Sequence, residues 1–397
     1  MTSAAVPAFL PYGRQTIEAD DIAAVAVALE GDFLTTGPTV GEFDRAFAHA
    51  VGARFAVSCN SGTAALHLST MALGLGPGDA AIVPSVTFLA TANAARYVGA
   101  EVIFADVDPD TGLLRPEDLA AALARAGNLR VKAALPVHLN GQQANMAALA
   151  AISTKAGVAL VEDACHALGN TGAGACGNSA MACFSTHPVK AIAMGEGGVV
   201  STNDPVLAER LARYRNHGMS RDAASFANRD LAFAADGNAN PWYYEMAEPG
   251  YNYRAPDVLC ALGLSQLKKL DRFVVRRRQL AVLYDRALGP LAPLVRRVPP
   301  VAWSEHAYHL FAVLIDFAAA GVDRAEVMHR LRAAGIGSQV HYLPVHRQPY
   351  YQQRYGRLDL PGADAYYARC LSLPIFPTMA DGDVDRVVAA LAAALKA

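Results

Sequence analysis

The sequence predicts an α/β protein: a mostly parallel sheet covered by helices on both faces, then a smaller α/β module. Three observations carry this. From about residue 55, short β-like apolar runs alternate with longer helical stretches. The strand-helix-strand unit then recurs several times, which is the signature of a parallel sheet with helical crossovers. The chain has 397 residues, 53% of them hydrophobic and 18% charged, so a sizeable core can be buried.

The elements follow in order. Residues 55–58 read as a strand, and 63–75 as a helix closed by the turn cluster Gly76-Pro77-Gly78-Asp79. Residues 81–84 form a strand, 89–98 a helix stopped at Gly99, and 101–107 a strand rich in Val, Ile and Phe. Pro116 opens a helix over 116–126, as proline suits the first helical position. A strand at 132–138, a helix at 144–157 and a strand at 158–163 come next. Strands at 181–185 and 198–202 follow with no helix between them. Residues 256–288 read as one long helix. The smaller module then comprises a strand at 308–315, a helix at 324–334, a strand at 337–342, and helices at 363–370 and 383–394. The division falls at the long helix, giving a large domain over 1–260 and a small one over 261–397. In parallel sheets ligands sit at the carboxyl ends of the strands.

Charge excludes several functions. The net charge of -2 argues against a basic nucleic-acid binder and an acidic disordered tail. No secretory leader opens the chain, and its uncharged stretches are too broken by polar residues to span a membrane. Six scattered cysteines without a CxxC fit reduced thiols of a cytoplasmic protein better than disulfides or zinc ligands.

The chain has 28 arginines but only six lysines. Lys132, Lys155, Lys268, Lys269 and Lys396 read as solvated surface charges. Lys190 differs. It follows a strand in Cys183-Phe-Ser-Thr-His-Pro-Val-Lys190 and precedes Gly195-Glu-Gly-Gly198. An amine among small residues and apolar strands is desolvated, which lowers its pKa and makes it a nucleophile towards carbonyls. Asp163 ends a strand in Val-Glu-Asp163-Ala-Cys-His166, where a carboxylate needs a cationic partner. A helix cap or an ion pair explains it equally, but so does a protonated pyridine nitrogen. Ser61-Gly62-Thr63 turns from strand to helix and offers free N–H groups to a phosphate, with simple capping as the alternative. Ser185 adds a hydroxyl nearby, and Phe88 is placed either to stack on a ring or to fill the core.

The strings NSGTAALHL, VPSVTFLATANAA, FADVDPDTG, VEDACHALG, FSTHPVKAIAMGEGG and GYNYRAPDVLCALGLSQL occur in order over most of the chain. With VHYLPVH and LSLPIFP they resemble the DegT/DnrJ/EryC1/StrS sugar aminotransferases. The resemblance implies the fold type I architecture of aspartate aminotransferase, with a seven-stranded large-domain sheet. It also implies pyridoxal 5'-phosphate (PLP) as cofactor and a homodimer with shared active sites. Carried over, it makes Lys190 the Schiff-base lysine, pairs Asp163 with the pyridine nitrogen and stacks Phe88 on the ring. Gly62, Thr63 and Ser185 then hold the phosphate, Asn252 reaches it from the neighbouring subunit, and Gln142 and His166 line the pocket. Tyr12, the turn Asp32, Phe33, Leu34 and Thr35, and the run His341, Tyr342, Leu343 and Pro344 match positions that contact the sugar nucleotide. One departure is Gly141-Gln-Gln-Ala-Asn145, where relatives often carry Gly-Gln-Pro-Ala-Asp; Asn145 still caps the helix. Dehydratases of the family replace the lysine with histidine, which Lys190 argues against.

The strings PFLPYGRQTI, FSTHPVK and GSQVHYLPVHRQPYY look most like C4 aminotransferases acting on UDP-4-keto-6-deoxy-N-acetyl-altrosamine in pseudaminic acid synthesis, with glutamate as amino donor. GDP-perosamine synthases and dTDP-sugar aminotransferases stay open, as does a PLP-binding regulator without turnover. Gly172-Ala-Gly-Ala-Cys-Gly177 spells GxGxxG but neither opens a helix nor directly follows a strand, so a dinucleotide site is set aside. Asp163, Cys165 and His166 lack a second cluster, so no metal is expected.

Overall fold

The computed structural model describes residues 8–396. Seven strands form the large sheet: β1 Phe55–Cys59, β2 Asp79–Pro84, β3 Glu101–Ala105, β4 Arg130–Ala134, β5 Ala159–Asp163, β6 Met181–Ser185 and β7 Gly198–Thr202. Their spatial order is β1-β7-β6-β5-β4-β2-β3. The pairs β2/β3, β2/β4, β4/β5 and β5/β6 are parallel. β7 is antiparallel to both β1 and β6, so it alone runs against the rest. The direct passage from β6 to β7, with no helix between, is the reason. β2, β5 and β7 are built almost wholly of buried side chains, as strands covered on both faces must be.

β8 Met219–Ser220 and β9 Glu245–Met246 form a two-stranded pair on an excursion after the large sheet. The small module has its own antiparallel sheet, β10 Val295–Arg297, β11 Phe311–Ile315 and β12 Cys370–Leu373, in the order β10-β11-β12. Its core gathers Leu280, Tyr284, Val313, Val327, Leu371 and Leu391, with Tyr284 stacked on Phe311 at 4.3 Å.

Three expectations change. The long helix is two, Asp257–Leu267 and Leu270–Leu288, broken at Lys268 and Lys269. Lys269 is not a solvated surface charge: it turns inward, 2.7 Å from Asp21, a carboxylate with no exposure. Residues 337–342 do not form a strand; Gln339 alone bridges to Ser372. The place in the sheet goes to β12, which begins at Cys370 directly after the Pro361–Arg369 helix. Two helices before β1, Ala19–Glu30 and Pro38–Val51, were not anticipated, nor was Pro205–Tyr214. The described N-terminal segment crosses to the small module. Leu10 exchanges backbone bonds with Gly335 and Gly337, and Tyr12 accepts from the Ile375 amide.

Candidate active site

Parallel packing sends the carboxyl ends of β1, β2, β5 and β6 to one edge of the sheet. β7 starts at that edge because it runs the other way, so Gly198 lies opposite both Cys59 and Ser185. A cleft of about 630 Å³ opens there. It takes Ser61, Gly62 and Thr63 from beyond β1, Phe88 from beyond β2, Asp163, Cys165 and His166 from β5, and Ser185 and Lys190 from β6. Tyr12, Gln339, His341, Tyr342 and Leu343 close the other side.

The phosphate-like cradle is tight. Ser61 caps the eleven-residue Gly62–Ala72 helix by accepting from the Ala64 amide. A side chain at Gly62 would sit 2.8 Å from Ser185 Cβ and 3.3 Å from Cys165 Sγ. One at Gly198 would collide with the Ser61 carbonyl at 2.2 Å. Two glycines thus keep backbone, hydroxyl and helix N-terminus close together, which suits an anion.

Lys190 is half-buried, and burial lowers its pKa, with the Cys165 thiol and Asp163 opposing that fall. Asp163 is buried. It accepts the Thr91 hydroxyl at 2.6 Å and the Cys165 amide at 3.2 Å. Phe88 keeps 55% exposure, so its ring is free at the cleft surface, 5.9 Å from the Tyr342 ring. His166 stacks on Tyr342 and meets its hydroxyl through Nε2 at 3.0 Å. Its buried Nδ1 has no partner. Burial, then Lys190, pushes His166 well below its ordinary pKa, and takes His341 down to about 3. Both imidazoles are therefore neutral at pH 7. Burial likewise raises the Cys165 and Tyr342 pKa values, so both stay protonated. His341 is held by Ser372 at 2.8 Å and packs near Tyr12 at 5.4 Å.

The residues fit PLP. The lysine, the strand-end carboxylate, the free aromatic face and the glycine-tight anion cradle share one cleft, and the unpartnered His166 Nδ1 points to a missing polar group. Not every expected residue joins them. Gln142 is fully buried, but its amide is spent on the backbone of Pro299 and Val301, so it does not line the cleft. Pro344 is buried behind the cleft wall. Asn252 is exposed and bridges to Asn216 through the backbone. Asp32, Phe33, Leu34 and Thr35 form an exposed turn, next to a separate hollow of about 250 Å³ lined by Arg215 and Arg254. Among the described residues that line the main cleft there is no arginine.

Sequence reading missed His187, Glu196, Gln339 and Gln348 on the cleft wall, and Thr87 and Thr91 behind Asp163. The i,i+4 spacing of the two threonines was a usable signal; the others carry none outside the tertiary fold.

The model of the DegT/DnrJ/EryC1/StrS aminotransferase family matches residues 15–392. The chain is 40% identical over 392 residues to the spore coat polysaccharide biosynthesis protein SpsC of Bacillus subtilis, covering 96% of each. Its fold superposes on Helicobacter pylori PseC, an aminotransferase in the biosynthesis of pseudaminic acid, with a TM-score of 0.86 at 26% identity, covering 98% of this chain and 99% of that one. DesI, crystallised with its TDP-sugar product, gives a TM-score of 0.85 at 31% identity, covering 99% of this chain and 94% of that one. No helix among the described residues is long and apolar enough to cross a membrane. With the strand-end lysine and carboxylate in one cleft and a family match over nearly the whole length, the chain belongs to the DegT/DnrJ/EryC1/StrS aminotransferase family and is an enzyme, a sugar aminotransferase.

Proposed function

We propose that this enzyme uses PLP to carry an amino group from L-glutamate to the C4 keto group of UDP-4-keto-6-deoxy-N-acetyl-altrosamine. The observation that carries the reading is one cleft shared by a desolvated Lys190, Asp163 and the Gly62–Ser185 cradle. When bound, PLP supplies an electron-accepting ring for the electrons released as the donor's Cα–H bond breaks. Gly62, Thr63 and Ser185 hold its phosphate, Phe88 covers its ring, and Asp163 takes the hydrogen bond of its ring nitrogen. Lys190 tethers it through the amine. Once free of the tether, that amine would take the Cα proton as a base and, as the resulting ammonium, would hand the same proton to the cofactor C4′ carbon as an acid. The lowered Lys190 pKa enlarges its neutral fraction, which tethering a carbonyl and taking a proton both require. Tyr12, His341, Tyr342 and Leu343 meet the sugar.

One cleft serves donor and acceptor in turn, so ping-pong kinetics follow. The Asp32–Thr35 turn and Asn252 act on the cleft of a second copy, which makes the enzyme a homodimer. An arginine-free cleft that must face a nucleotide diphosphate supports this, since the half-buried Arg215 and Arg254 line a hollow beside that turn. Five of the six free cysteines are buried, which fits a reducing cytoplasm.

The PseC and SpsC likenesses support a pseudaminic-type acceptor and a role in surface polysaccharide synthesis. The DesI likeness supports a dTDP-sugar as second reading. Reduction of the PLP-loaded protein with borohydride, followed by peptide mapping, should label Lys190 and leave Lys190→Ala unlabelled. Label on another lysine refutes the assignment. Turnover of UDP-, GDP- and dTDP-linked 4-keto sugars, each with glutamate, decides the acceptor.

A further inference from the structure

We propose that Thr87 and Thr91 form a one-way hydroxyl relay that keeps the Asp163 side chain aimed at the ring nitrogen of the cofactor, with Thr91 the positioning residue. This rests on the reading of Asp163 as the partner of that nitrogen.

The direction of the relay follows from donor counting. An ionised carboxylate only accepts. The single hydroxyl proton of Thr91 therefore goes to Asp163 Oδ2, at 2.6 Å. Thr87 lies 2.7 Å from the same Thr91 oxygen. With the Thr91 proton already used, Thr87 must donate. The chain runs Thr87 to Thr91 to Asp163, and each bond polarises the next.

Burial makes the relay matter. Thr91 has no exposure and Thr87 has 2%, so water cannot replace either donor. Neither hydroxyl is used on a backbone group, by capping or by bonding back to a carbonyl, as threonines in and around helices otherwise are. Both are spent on the carboxylate. On Asp163 the other oxygen takes the Cys165 amide at 3.2 Å. The two donors pin the carboxylate plane from both sides. Together they occupy both carboxylate oxygens and fix which way the group faces. Without Thr91 the carboxylate loses a buried donor, turns more freely, and loosens its hold on the ring nitrogen.

The test is Thr91→Val, which keeps the shape and removes the donor. In the PLP-loaded protein, NMR of an isotopically labelled ring nitrogen should show a protonated nitrogen in the wild type and a shift towards the neutral form in T91V. Since a hydrogen bond to an ion is worth one to two factors of ten, kcat should fall about 10- to 100-fold while KM changes far less. Thr91→Ser should restore both readouts. Thr87→Val should move them the same way by less, and it carries the test if T91V does not fold. A folded T91V with wild-type nitrogen shift and kcat within about 2-fold overturns the relay. So does equal damage in T91S and T91V, which would mark a packing role. A neutral ring nitrogen in the wild type overturns the reading of Asp163 itself, a separate and recognisable failure.

Discussion

Gly62→Ala isolates the anion cradle. In an open helix the change from glycine to alanine gains up to about 1 kcal/mol. Here the new Cβ lies 2.8 Å from Ser185 Cβ and 3.3 Å from both Ser185 Oγ and Cys165 Sγ. Carbon pairs rest near 3.5–4.0 Å, so Ser185 must retreat by roughly 0.7 to 1.2 Å. Overpacking of this kind costs about 1–3 kcal/mol, which outweighs the helical gain. The larger effect falls on PLP affinity. A displaced Ser185 hydroxyl forfeits a hydrogen bond to a charged phosphate, worth about 1.5–3 kcal/mol, or about 10- to 150-fold in Kd. The assay is titration of apoprotein with PLP followed by its visible band, with Tm measured on the apoprotein. Gly76→Ala, where nothing lies within 4 Å, is the control and should leave both unchanged. A G62A protein with a higher Tm and wild-type PLP affinity refutes the cradle.

Two further changes test the fold around the site. Lys269→Met leaves Asp21 a buried carboxylate with only the Gln266 amide and the Glu18 N–H as donors, so stability should drop by about 3–5 kcal/mol in denaturant melts. A drop below ~1 kcal/mol would mean that the pair is not load-carrying at all. Burial lowers the His67 pKa from 6.5 to about 4. The unfolded chain therefore binds a proton between those values that the folded chain refuses, so stability is full above pH 6.5 and falls as pH drops towards 4. The loss at the lower end reaches up to about 3 kcal/mol. His67→Gln should flatten that part of the stability-against-pH curve, and an unchanged slope would show that His67 does not contribute it.

Much of the site was legible because it sits at strand ends, and strand ends are local features. Asp163, Ser185 and Lys190 stand in short strings whose apolar runs and glycines mark where each strand stops. The scarcity of lysine did the rest, since only one of six had a setting for chemistry. Gln142 misled because its string matches the family while its amide is used on Pro299 and Val301, about 160 residues away. The 337–342 run misled because its apolar pattern is strand-like, yet β12 takes the sheet position and leaves His341 and Tyr342 to face the cleft.

The sequence by itself determined the α/β class, the mostly parallel sheet and which lysine and aspartate stand at strand ends. Those depend on side-chain periodicity over a few residues and on which strand ends carry reactive groups. Only the tertiary structure decided that Gln142 turns to Pro299 and Val301, that Lys269 is buried on Asp21, and that Thr91 bonds Asp163. Each of these joins residues far apart in the chain, 72 positions in the case of Thr91 and Asp163. Such contacts exist only after the sheet has closed and excluded water, and exclusion of water is what makes each polar partner necessary.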